Sequence, residues 1–304
     1  MQDSFIIITP AFNEAAYIEQ TIQSVVAQTR KPLLWVIVDD GSTDQTADIV
    51  KQYAQIYAWI QYVYRSKETD QTYYASNVYA IQRGLEVVQN SKLKTQNVDY
   101  FAVLDADVEL CPDYYEKIFQ KFKQYPKLGI ATGTYLEQEG SRWKEAKIDR
   151  RSTPKAIQVF KGECYEKCGG YIPFRYGGED SGMEIMARMN GWQTWSFNDI
   201  VVKHLRPVGT GDGRSLLKAR YRMGFTDYFL ATHPLFMVFK CVKRAFWEKP
   251  YILSSLARLL GYVAAYLKKE NRQLPDDAKD FIRAEQMNRL LNMIKLGKKL
   301  WQPE

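Results

Sequence analysis

Two apolar periods alternate along the first hundred residues, and that alternation restricts the fold more than any other feature of the chain. Phe5-Ile6-Ile7-Ile8-Thr9 is a β-rich apolar run stopped by Pro10, as a buried strand would be. Ile18, Ile22, Val25 and Val26 then recur at helical spacing. The pattern repeats with Leu33 to Val38 as a strand, Asp39-Asp40-Gly41-Ser42-Thr43-Asp44 as a turn, and Ile49, Val50, Tyr53 and Ile56 on a helix that Ser42 or Asp44 can cap. Strand and helix in alternation require a parallel sheet. With 304 residues and 46% hydrophobic content, the chain can bury a substantial core, in one domain or one plus an appendage.

A further buried run, Tyr100 to Leu104, ends in Asp105-Ala106-Asp107. Its carboxylates therefore fall at the C-terminal edge of a strand, where open α/β sheets bind their ligands. Two acids at i and i+2 can jointly hold one hard divalent ion and the diphosphate it carries. One such pair is weak evidence, because short acidic motifs arise by chance. Other segments agree with it. The loop from Pro10 through Phe12 to Glu14 and the turn at Asp39-Asp40 lie at the ends of neighbouring strands, where a carboxylate can accept from a base imide or a ribose hydroxyl. Glu179-Asp180 follows Tyr176-Gly177-Gly178 and opens a helical segment through Met189, and a helix N-terminus favours the ionised carboxylate. A sugar nucleotide needs its base and ribose gripped, its leaving diphosphate neutralised and an acceptor hydroxyl deprotonated, and each task has a candidate here. Turn formation at Asp40 to Asp44 and capping at Glu179-Asp180 are the competing structural readings.

Taken in order, Thr9-Pro10-Ala11-Phe12-Asn13-Glu14, Val38 to Asp44, Leu104 to Asp107 and Gly178-Glu179-Asp180 resemble the inverting, GT-A-fold glycosyltransferases of family 2. The resemblance covers roughly residues 3 to 206 and leans toward enzymes of exopolysaccharide, capsule or lipopolysaccharide assembly. It implies a Rossmann-like, mostly parallel sheet flanked by helices, as a catalytic domain over 1–206, followed by a basic, helical extension over 207–304. It implies that Asp39 or Asp40 contacts the nucleobase and that Pro10, Phe12 and Glu14 line the donor site. Asp107 is then the direct metal ligand, Asp105 touches ribose or a metal-bound water, and His204 completes the metal shell, with Arg206 on the diphosphate. Asp180 becomes the general base, with Glu179 and Gly178 on the acceptor side. The metal implied is Mn2+ or Mg2+, since hard oxygen ligands favour these and no Cys/His zinc spacing competes. The donor implied is a UDP-, GDP- or dTDP-linked sugar, and the acceptor a glycan or a polyprenyl-linked one.

Some residues depart from the family's pattern. Relatives often carry an Ala-Arg-Asn stretch whose arginine helps hold the nucleotide, but here the matching region reads Tyr73-Tyr74-Ala75-Ser76-Asn77, leaving Arg65 as a substitute. Gln286-Met287-Asn288-Arg289-Leu290 lies too far along and lacks the tryptophan of the processive synthases' Q-x-x-R-W element. It reads as an amphipathic helix, so non-processive transfer is expected. Arg220 and Arg222, on a helix after the base, could also reach the diphosphate, while His233 in Thr232-His233-Pro234 reads as a turn residue.

Charge is divided unevenly. From Lys203 onward there are 20 Lys and Arg against 9 Asp and Glu, a balance of +11 within a total of +7, which leaves −4 for the first 202 residues. The basic third carries two apolar stretches with interspersed cations, Pro234 to Trp247 and Tyr251 to Leu267, the longer one short of the ~20 residues of a spanning helix. An interfacial helix with snorkelling cations, bound to an anionic membrane, is the expectation; packing of the same helices against the catalytic domain is its rival. Nucleic acid is a poor partner for cations interleaved with aliphatic runs. Cys111, Cys164, Cys168 and Cys241 form no disulfide or zinc framework, and no signal peptide precedes the first strand, so the expected place is the cytoplasm, at the inner face of the membrane. A nucleotidyltransferase would want a glycine-rich loop where Thr9-Pro10-Ala11-Phe12 stands, and a non-catalytic sugar-nucleotide-binding partner would not need Asp180.

Overall fold

The computed structural model describes residues 3–66, 72–91, 98–139, 142–146, 149–206, 216–246 and 248–294. The strands are β1 (Phe5–Ala11), β2 (Leu34–Asp39), β3 (Ile60–Tyr64), β4 (Tyr100–Leu104), β5 (Val108–Glu109), β6 (Leu128–Glu139), β7 (Arg142–Glu145), β8 (Ile157–Lys161) and β9 (Gln193–His204). Between and after them run α1 (Ile18–Val26), α2 (Thr46–Ile56), α3 (Tyr73–Gln89), α4 (Tyr114–Gln124), α5 (Gly162–Cys168), α6 (Glu179–Met189), α7 (Leu216–Phe229), α8 (Pro234–Ala245), α9 (Tyr251–Leu267) and α10 (Asp276–Ile294).

One sheet carries the order β3-β2-β1-β4-β8-β6-β9-β5, with β7 on β6. The first four strands are parallel, as their helical crossovers demand. From β8 onward the sheet is mixed, with β8 antiparallel to both β4 and β6, and β6 parallel to β9. Because side chains alternate along a strand, β1 sends Phe5 and Ile7 to a core shared with α1, α2 and α4, and Ile6 and Ile8 to one shared with α3, α5 and α6. The strand order reverses between β1, whose helical crossover leads to β2, and β4 on its other side. That reversal opens a crevice at the strands' C-terminal ends.

The C-terminal helices are not a separate raft. Phe225, Phe229, Met237 and Ile282 share a third core with Phe174 and with Ile185 of α6. Gly224 of α7 and Gly261 of α9 sit where the two helices cross, and a Cβ on either would collide with the other helix's backbone. The crossing buries Asp227, which accepts from Arg258 Nε at 2.6 Å and from Lys240 Nζ at 2.7 Å. Burial alone would raise the Asp227 carboxyl, but the Arg258 and Lys240 charges outweigh it and hold the group well below the usual carboxylate range. For two of the four cations in these stretches this differs from the expectation of outward snorkelling: Arg258 and Lys240 turn to the buried carboxylate, while Lys243 is exposed. Trp247, expected to enter the membrane, lies outside the described residues. Gln286, within α10, is buried and accepts from the backbone N–H of His233, the turn residue that caps α8. Among the described residues no helix is long and apolar enough to cross a membrane.

Candidate active site

The crevice at the β1/β4 reversal is an open cleft of about 460 Å³ lined by Pro10, Ala11, Phe12, Glu14, Asp40, Asn77, Asp105, Ala106, Asp107 and Arg206. Most of the residues expected on the donor side are thereby brought together. Their meeting has local causes. The Asp40 N–H bonds the Ala11 carbonyl at 2.8 Å, so the second strand's turn stays against the first strand's end. Asp44 accepts from the N–H of Thr46, opening α2, and from the N–H of Ala15, tying the two loops together. The N-cap position of α2 is Gln45, whose side chain makes no capping bond, so neither Ser42 nor Asp44 is the N-cap; Asp44 serves the first helical N–H from one residue earlier, and Ser42 accepts from Asn13 N–H.

The Asp105-Ala106-Asp107 turn is clipped from behind by α1. The buried Thr21 hydroxyl donates to the Ala106 carbonyl at 2.8 Å and accepts from Val108 N–H at 3.1 Å. Asp107 then meets residues 97 and 99 positions away, because β5 pairs antiparallel with the end of β9 and puts Val108 opposite His204. Leu205 N–H donates to the Asp107 carbonyl at 2.8 Å, fixing that register. Arg206 spans two acids, its Nη2 2.8 Å from Asp107 Oδ2 and 2.7 Å from Glu14 Oε1. The other Asp107 oxygen, Oδ1, lies 3.8 Å from His204 Nε2. His204 Nδ1 bonds the Arg206 carbonyl, and since a carbonyl only accepts, Nδ1 carries the proton. In the neutral ring Nε2 therefore presents a lone pair toward a carboxylate oxygen.

The two acids of the second turn part company. Asp40 lines the cleft and is bound by Arg65 and Ser76, whereas Asp39 accepts from Ser42 N–H at 2.8 Å and from the Tyr62 hydroxyl at 2.9 Å. Arg65, offered as a substitute for the family's arginine, is thus committed to Asp40. Arg220 pairs with Glu248 at 2.7 Å instead of turning to the cleft, and Arg222 donates to the Tyr176 carbonyl over the Tyr74 ring.

Glu179 and Asp180 open α6 behind Gly178, whose φ of 103° and whose distance from Thr226 leave no room for a Cβ. The ready ionisation expected of Asp180 is opposed by its surroundings. Burial raises its carboxyl, against the Ser181 N–H at 2.7 Å and the nearby Lys155 charge. Burial and the adjacent Asp180 push Glu179 up to about 7, again against Lys155. Glu14 likewise rises to about 7, through burial and the Asp107 charge, with Arg206 opposing.

Lys155 is the residue that sequence reasoning missed. It leads into β8, pairs with Asp105, and its charge acts on both Glu179 and Asp180, so it joins the donor-side acids to the α6 turn. A lysine in a polar loop carries no motif; only the antiparallel pairing of β8 with β4 brings it there. Thr21 did leave a signal, as a polar residue amid the apolar positions 18, 22 and 25.

A family model described as Glycosyl transferase family 2 matches residues 6–179. The glycosyltransferase GlyA of Streptococcus pneumoniae serotype 4 is 27% identical over 143 residues, which are 46% of this chain and 18% of that protein. The chain spans 18% to 39% of the length of the curated relatives it matches first. Among solved structures, the mannosyltransferase PcManGT of Pyrobaculum calidifontis, in complex with GDP-Man and Mn2+, aligns over 97% of this chain and 87% of its own, with a TM-score of 0.57 and 16% identity. TarS residues 1–349 of S. aureus, in complex with UDP-GlcNAc, align over 95% and 92% with a TM-score of 0.55 and 12% identity. The architecture is the GT-A fold that the sequence motifs implied.

Proposed function

Because the chain belongs to glycosyl transferase family 2, we propose that it moves one sugar, with inversion and without processive elongation, from a nucleotide-diphosphate donor to a glycan or polyprenyl-linked acceptor of a bacterial surface polysaccharide. The observation that carries this reading is the link from Asp105 to the α6 turn through Lys155. Donor-side and base candidates 75 residues apart in sequence are thus bridged by one side chain, which supports a shared site although Glu179 and Asp180 do not line the cleft itself.

Charge supports the donor assignment only if a cation accompanies it. Glu14, Asp40, Asp105, Asp107, Glu179 and Asp180 stand against Arg65, Lys155 and Arg206, and each of these cations already meets an acid. Asp40, Asp105 and Asp107 alone offset these three cations, so a diphosphate entering alone would find no net positive charge. Asp107 Oδ1 and the lone pair of His204 Nε2 cannot hydrogen-bond to each other, yet they can share a cation. Among the described residues no group of three His, Cys, Asp or Glu side chains gathers into a metal cage. Two protein ligands suit Mg2+ or Mn2+, which take the rest of their shell from water and substrate phosphate. Bound there, such an ion supplies Lewis-acid neutralisation of the leaving diphosphate.

The chain's own residues do the rest. Asp40 sits where it can accept from the base or ribose, the family role of the Asp39-Asp40 pair, with Asp39 bracing the turn. Arg206, held between Glu14 and Asp107, is at hand for the phosphate oxygens. Asp180 takes the acceptor hydroxyl's proton, and a raised carboxyl makes it the better base once ionised.

The test is a panel of UDP-, GDP- and dTDP-sugars with Mn2+ or Mg2+, read first as thermal stabilisation and then as product release. Nucleoside diphosphate release supports a transferase, pyrophosphate release a nucleotidyltransferase, and stabilisation without either a binding partner. Asp107→Ala should abolish metal-dependent donor binding. Asp180→Asn should keep donor binding and lose transfer by ~10²-fold or more, and transfer near the wild-type rate would move the base elsewhere, with Glu179 next.

A further inference from the structure

Helix α9 packs Tyr262 and Ala265 into the third core, yet its outward face is apolar too. Its residues turned into the protein include Ser254, Ser255, Arg258 and Gly261. Those turned to water are Leu253, Leu256, Leu260, Val263 and Leu267, spaced three and four apart and between 44% and 79% exposed. The helix's one charge, Arg258, is spent on Asp227, so nothing charged interrupts the stripe. Helix α8 repeats the arrangement with Leu235, Val238 and Val242, followed by Phe246 at its C-cap, all more than half exposed. A water-facing helix ordinarily turns its polar side outward, and a contiguous apolar surface marks an interaction site.

Charge identifies what covers it. Lys243, Lys249, Lys268 and Lys269 are exposed near the ends of these two helices. Between Asp227 and Glu270 the only acid is Glu248, and it is held by Arg220 and Arg244. Pairing with another helix would call for charged residues flanking the stripe to set register and partner. The flanks here are Ala257, Leu259, Ala264 and Tyr266. A broad apolar strip on a helix of 17 residues, with exposed lysines near its ends, matches the boundary between headgroups and acyl chains of an anionic bilayer.

We propose that the exposed faces of α9 and α8 seat the protein on anionic lipid, with the leucine stripe in the acyl boundary and the terminal lysines among the headgroups. This rests on the polyprenyl-linked alternative of the reading above and extends it to the surface by which the chain would reach such an acceptor.

The experiment floats the full chain with phosphatidylcholine vesicles with and without phosphatidylglycerol, at low and high salt. Wild type should bind the anionic vesicles and keep part of that binding at high salt. The double variant Leu256→Glu with Leu260→Glu should partition at least about tenfold more weakly, since each change puts a charge where a leucine would enter the acyl boundary. Both positions are exposed, so its circular dichroism should match wild type. Lys268→Gln with Lys269→Gln should lower binding to the anionic vesicles and leave the salt-resistant part, a result that stands even if the glutamate variant fails to fold. Wild type that ignores phosphatidylglycerol at low salt overturns the proposal. So does a wild-type dimer in light scattering that the glutamate variant splits while no vesicle binds, since a second copy then covers the stripe. Nucleoside diphosphate release, measured in parallel, separates the two readings: vesicle binding without release removes the transferase reading alone.

Discussion

Replacing Asp227 by asparagine tests the C-terminal packing most directly. The carboxylate is 2% exposed, and Arg258 is buried beside it, with Lys240 closing the cluster from α8. The substitution preserves shape and removes the carboxylate both cations meet, leaving Arg258 buried and Lys240 about three-quarters buried, with only Glu248 acting on Arg258 to offset the lost hydration. Removing one partner of such a buried group costs about 3–5 kcal/mol. Over 304 residues, at roughly 2.1 cal/mol/K of unfolding entropy per residue, about 4 kcal/mol corresponds to a fall in Tm of ~6 °C if the chain unfolds cooperatively. Removing the whole cluster is a different perturbation: Asp227→Leu with Lys240→Met and Arg258→Met deletes all three desolvation penalties with their attractions and should stay near wild type. Because Asp227 is held well below its ordinary 3.8, its contribution is present above that pH and is lost as the pH falls further. Differential scanning calorimetry on the single and triple variants across pH reads all of this. If Asp227→Asn melts within ~1 °C of wild type, Lys240 and Arg258 reach water in solution and the inward orientation of these cations is wrong.

Three further perturbations address the cleft. Lys155→Met removes a charge that lowers the Glu179 and Asp180 carboxyls, so the acidic limb of kcat/KM against pH should move to higher pH; an unmoved limb separates Lys155 from the base. Thr21→Val leaves the Ala106 carbonyl and Val108 N–H without their buried partner, which should cost about 1–3 kcal/mol in urea unfolding and weaken metal-dependent donor binding by loosening the Asp105–Asp107 turn. Glu14→Gln tests linkage. The folded chain keeps a proton on Glu14 up to about pH 7 while the unfolded chain releases it near 4.5, so wild type should lose about 3 kcal/mol of stability from this group as pH rises through that window. The glutamine variant should lack that part of the slope, and an unchanged slope would locate the raised carboxyl elsewhere.

The alternation of apolar periods over Phe5 to Leu104 was enough to require parallel strands with helical crossovers, because a strand buried on both faces and a one-sided helix leave different spacings in the chain. The motif acids were legible for the same local reason, since strand ends and helix starts are written within a few residues of Asp40, Asp105, Asp107 and Asp180. Pairings across long separations were not. Asp39 and Asp40 are adjacent acids in one turn, and only the positions of Tyr62 and Arg65 on and beyond β3 send one inward and the other to the cleft. Lys155 reaches Asp105 because β8 runs antiparallel to β4, and no spacing in the sequence specifies that register. The basic third shows the difference most plainly. Its composition was evident as apolar runs broken by cations, and by composition alone a lysine or arginine belongs in water. Asp227, 13 residues before Lys240 and 31 before Arg258, reverses that choice for these two: once the Gly224–Gly261 crossing buries its carboxylate, Lys240 and Arg258 turn to it, and Leu253, Leu256 and Leu260 are left facing out.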